Sequence, residues 1–198
     1  MMTPVEAFNI LRRAEGWLRR DEPIPLHWAI EHGGAVPEAW AACGNPVLLM
    51  ELASFLMDRT RLVQLAAAIV ERVLPYSNTS TWLGREPMIR EAVDVAKRFA
   101  SGIPVTPATF NQLAGEMNQI ADRMSDKDAG YLVPIAAYYL MRLPTIQAGR
   151  GFSWEAGRLV HNASHVQYAH GMPRQIANLI REHLPVVALD DLIQAGDR

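Results

Sequence analysis

His161 and His165 stand four residues apart in the stretch SWEAGRLVHNASHVQYAHG. At that spacing, successive helical turns can offer two imidazoles to one metal ion. A metalloprotease pair carries a glutamate directly after its first histidine, and here that residue is Asn162. His170 lies five residues further on, off their common face, and nothing selects Glu155 or Asp190 as a third ligand. A metal site requires its full ligand set. His161 and His165 are therefore weak metal candidates, read more simply as polar surface histidines, a hydrogen-bonded pair or groups that respond to pH near neutrality.

The remaining chemistry-bearing residues are isolated. Cys43 is the sole cysteine, which excludes an internal disulfide and a thiolate metal cluster. Set between alanines and a glycine, it reads as a buried spacer rather than a nucleophile. The hydroxyls of SNTST at 77–81 lack the spaced glycines of a nucleophile elbow, and no phosphate-cradling glycine loop occurs. Asp126 with Asp128, and Asp190 with Asp191, fall at expected helix starts, where carboxylates suit the positive end of the dipole. No catalytic residue is assigned and no cofactor is expected.

Composition narrows the partners. A net charge of −2 and a pI near 6.3 give no long-range attraction to nucleic acid or an anionic membrane. No apolar run approaches the roughly 18 residues that span a bilayer, and no basic-then-apolar leader opens the chain. The plain reading is a cytoplasmic protein.

The elements that must position these residues are helices. The longest apolar tract runs from Pro37 to Leu74, cut near its start by Asn45-Pro46, a cap followed by a proline at the first helical position. From Pro46 to Met57 only Glu51 is charged, so this helix must be enclosed; the next, Arg59 to Leu74, carries one apolar stripe. Together they predict a central apolar hairpin. The cap-plus-proline device recurs at Thr3-Pro4 and Thr106-Pro107, and Ser153 reads as the cap of the helix bearing the histidines. Further helices are predicted over 4–20, 23–32, 87–100, 107–124 and 173–184. Another follows Asp126, with Pro134 kinking it or shifting its start. No alternating strand pattern of convincing length occurs. The prediction is an all-α bundle of about eight to ten helices in one domain, 1–198, with the 4–20 helix and the 186–198 tail as possible appendages.

Between two of these helices, PYSNTSTWLGREP at 75–87 is polar and aperiodic, as a surface loop is. Tyr76, Asn78, Trp82 and Arg85 there, with the His161/His165 face, are the candidate partner-binding residues, since aromatic anchors beside polar groups suit an interface. Trp82 has the alternative of folding back into the core.

The block PLHWAIEHGGAVPEAWAACGNPVLLMELASFL resembles the start of a family of all-helical immunity proteins from bacterial polymorphic-toxin systems. The resemblance rests on Trp40, Cys43 and the apolar run Leu48 to Leu52, then AVDVAKRFASG at 92–102 and QIANLIREHLP at 175–185. It extends over roughly Pro23 to Pro185. Family members usually continue after the cysteine with a charged residue or glycine and then Asp-Trp, where this chain has Gly44-Asn45-Pro46. The resemblance implies a non-enzymatic protein that blocks a toxin domain by direct steric binding, and carries over no catalytic residue. Two alternatives remain beside it: a helical metal- or small-molecule-binding enzyme using His161 and His165, and a structural subunit whose helices serve assembly.

Overall fold

Capping residues and prolines govern where most of the helices start. The computed structural model describes residues 40–41, 43–77, 85–124, 130–146, 150–166 and 171–185. Among them are α1 (Pro46–Leu56), α2 (Arg59–Val73), a 3-10 helix (Leu74–Ser77), α3 (Glu86–Ala100), α4 (Pro107–Asp122), α5 (Leu132–Arg142), α6 (Arg150–Ser164) and α7 (Met172–His183), and no strand. The expected helices over 4–20 and 23–32, the Asp126 cap, His170 and the 186–198 tail lie outside the described residues.

Asn45 Oδ1 accepts from the Val47 and Leu48 N–H groups (3.0 and 3.3 Å), with Pro46 at the first helical position. Asp58 Oδ1 caps α2 through the Arg61 N–H (2.9 Å), and Thr106 Oγ1 caps α4 through Thr109 (3.2 Å). Hydrogen bonds from the Thr60 hydroxyl and the Arg61 amide hold the Asp58 carboxyl below its ordinary pKa. At Pro134 the start shifts: α5 begins at Leu132, leaving the proline in the first turn, where its missing N–H costs no internal hydrogen bond.

The start of α6 corrects the sequence reading. Ser153 is no cap; the helix begins at Arg150 and Ser153 lies buried within it. Burial of Phe152, whose ring lies 5.5 Å from the Arg59 guanidinium, rewards the additional turn. The helix also ends at Ser164, short of Gly171.

Buried side chains from all seven helices join in one core cluster. The broadest packings are α4 on α5, α1 on α6, α5 on α6 and α2 on α3. The helices expected to form the central hairpin, α1 and α2, touch each other little: α1 spends its apolar surface on α6, α2 on α3. Leu49 and Met50 of α1 and Leu62, Leu65 and Ile69 of α2 are fully buried. Each such side chain contributes about 1.5–3 kcal/mol through removal from water.

Polar ties join segments distant in the chain. Arg59 donates to the carbonyls of Pro144 (3.3 Å) and Ile146 (2.7 Å), fixing the end of α5 to the start of α2. Trp40 Nε1 donates to the Leu184 carbonyl (3.2 Å). Arg181 donates through Nε to the Trp40 carbonyl (3.1 Å) and through Nη2 to that of Cys43. The Trp40–Cys43 segment is thus held to α7, from nearly the other end of the sequence.

Candidate functional site

Helix α6 positions the most distinctive exposed side chains among the described residues. Trp154, Arg158, His161 and His165 are all exposed. Their spacing of four, three and four residues places them within an arc of roughly 60° along about 16 Å of helix. They do so because Phe152, Ala156, Leu159, Val160 and Ala163 commit the opposite face to the core.

At the N-terminal end of the stripe, the Trp154 side chain is held at the surface rather than buried. Trp154 is 44% exposed; the other large exposed hydrophobic among the described residues is Ile103, between α3 and α4. The Arg158 guanidinium sits 5.6 Å from the indole centroid, within cation–π range. From α5, Tyr139 meets the indole edge-on at 6.0 Å and is itself edge-on to Tyr138 at 5.1 Å. Indole and guanidinium are both oriented before any partner arrives.

At the other end, the His161 and His165 rings lie 4.4 Å apart at an angle of 39°, and His165 Nδ1 donates to the His161 carbonyl (2.7 Å). The helix therefore does bring the two imidazoles together, as their spacing predicts. Glu155, raised in the sequence as a third ligand, points elsewhere: it is buried against α5, with Oε1 3.5 Å from Arg142 Nε. Burial pushes the Glu155 carboxyl up in pKa, against the opposing pull of Arg142 and Arg158. Among the described residues no three His, Cys, Asp or Glu side chains form a group able to hold a metal ion. Asp190 lies outside them.

The second candidate region divides. Tyr76 is half-buried in the 3-10 helix and packs against the core, so it belongs to the body of the protein rather than to a projecting loop. Arg85, half-buried, precedes α3, its carbonyl accepting from the Met88 N–H (3.1 Å). Asn78 and Trp82 lie outside the described residues.

Cys43 is fully buried, as its apolar neighbours suggest, and burial raises its thiol pKa, keeping it protonated. Glu51 was unassigned in the sequence reading. Its carboxyl lies in the α1–α6 seam over Gly157, where an added Cβ would come within 2.6 Å of Oε1. Burial raises the Glu51 pKa from 4.5 to about 7.

Trp154 and Arg158 were also missed by sequence reasoning, although the spacing that links them to His161 and His165 is readable. What hid them is that Trp154 follows the supposed cap, Ser153, at a helix boundary. No helix among the described residues is long and apolar enough to cross a membrane. Comparison with protein-family models, curated proteins and solved structures finds no match to this chain.

Proposed function

We propose that this chain is a cytoplasmic, non-enzymatic protein-binding module: an immunity protein that neutralises a cognate bacterial toxin by covering it. The observation that carries the reading is the exposed, pre-oriented Trp154–Arg158 pair, flanked by Tyr139 and continued by two histidines on one helix face. Trp, Tyr and Arg are the residues that most often dominate protein interfaces, and pre-orientation lowers the entropy lost on binding. The Trp40–Cys43 segment that carries the family resemblance is locked onto α7 by Arg181 and Leu184, a structural duty that leaves recognition to other surfaces. The decisive experiment expresses the gene directly upstream of this one in its native genome, with and without this chain, and measures growth. Protection by the wild-type chain, reduced for Trp154→Ala, supports the reading; growth arrest regardless of this chain rejects it.

One observation favours a second reading, a metal- or small-molecule-binding helical enzyme. With His165 Nδ1–H committed to a carbonyl, neutral His165 presents Nε2 as a lone pair, the arrangement common in metal-ligating histidines. Stoichiometric zinc or iron in protein purified without chelator, and its loss in His165→Ala, would support it; metal-free protein that takes up neither ion would dismiss it.

A further inference from the structure

The chemistry of the α6 stripe narrows the kind of surface it can receive. Among the described side chains its exposed positions hold an indole, a guanidinium and two imidazoles, and no carboxylate, in a chain whose overall charge is −2. Arg158 forms no ion pair within 4.0 Å among the described residues, although its charge reaches the buried Glu155 carboxyl, and its guanidinium lies over the face of Trp154. A guanidinium that lies over a ring still carries a planar fork of N–H donors matched to a carboxylate. On α5, Arg142 acts on the same buried Glu155 carboxyl; its side chain is 39% exposed and its pairing with Glu155 is long, at 3.5 Å.

From this charge complementarity, and resting on the protein-binding reading above, we propose that α6 docks an acidic protein segment, a carboxylate of the partner engaging the Arg158 fork while an adjacent apolar side chain packs on Trp154. A nucleic-acid strand is the poorer fit. Strand binding draws its affinity from many phosphate contacts along a basic track, whereas among the described side chains α6 offers one exposed permanent cation, Arg158, with the partly covered Arg142 on α5. A single fork beside one aromatic platform matches a carboxylate next to a hydrophobic residue.

The test titrates the full-length, ¹⁵N-labelled chain with a short acetylated peptide of alternating glutamate and leucine. Its lysine–leucine counterpart and a single-stranded oligothymidylate serve as comparisons. The indole N–H of Trp154, assigned by its loss in Trp154→Phe, and the Arg158 Nε–H should shift with the glutamate peptide alone. Arg158→Ala should weaken that binding about ten-fold, the size expected for a charge-assisted hydrogen bond, with Arg158→Lys falling between. An unmoved Trp154 signal, an equal response to the lysine peptide, a larger response to oligothymidylate, or unchanged affinity in Arg158→Ala would each overturn the proposal. Peptide binding without growth protection would leave this inference standing while removing the immunity reading; protection without peptide binding would do the reverse.

Discussion

Replacing Glu51 with glutamine should stabilise this protein at neutral and alkaline pH and do almost nothing near pH 4. The carboxyl sits in the α1–α6 seam over Gly157, and burial raises its pKa from 4.5 to about 7. The folded chain holds this proton more tightly than the unfolded chain does. Stability from this group is therefore complete below about 4.5, falls as pH rises through about 7, and is level beyond. One decade of acidity is worth about 1.4 kcal/mol, so ionised Glu51 costs the fold about 3 kcal/mol above neutrality. Glutamine keeps the shape and cannot ionise; methionine fills similar space with no polar group to bury. Urea unfolding near pH 4 and near pH 8 reads the effect. Glu51→Gln should match the wild type at the lower pH and exceed it by about 3 kcal/mol at the higher, a rise in Tm of about 6–12 °C, and Glu51→Met should lose the same pH dependence. Glu155, also raised by burial, slopes in the same direction in all three proteins and cancels in the difference. If wild type and Glu51→Gln show the same pH slope, the carboxyl is solvated in the fold and the reasoning fails.

Further outcomes follow from the same geometry. Gly157→Ala should destabilise by about 1–3 kcal/mol, because its Cβ would meet Glu51 Oε1 at 2.6 Å. Combining it with Glu51→Ala should recover much of that loss, and strictly additive unfolding energies would contradict the contact. Trp40→Phe retains an aromatic body but leaves the Leu184 carbonyl without its donor, and should cost about 1–3 kcal/mol by chemical denaturation. Leu49→Ala, at a fully buried position, should cost about 2–5 kcal/mol, whereas Trp154→Ala should cost less than about 1 kcal/mol despite removing a larger side chain. Calorimetry showing the reverse order would mean that Trp154 is a core residue.

What the sequence determined by itself is local. Asn45-Pro46, Asp58 and Thr106-Pro107 place three helix starts because a cap and the proline behind it interact within a single turn, with no help from elsewhere in the chain. The stripe of α2 and the burial of Cys43 were legible for the same reason: hydrophobic periodicity records which face leaves water. Periodicity cannot say which neighbour covers that face. Tertiary packing decided that α1 lies on α6 rather than along α2, and that burial of Phe152 draws α6 back past Ser153. It also decided that Tyr76 packs half-buried against the core while Trp154 stays outside against Arg158 and Tyr139. Each of these outcomes depends on surfaces brought together from far along the chain. Spacing alone placed the histidines on one face; only the packed fold showed that a tryptophan and an arginine share it.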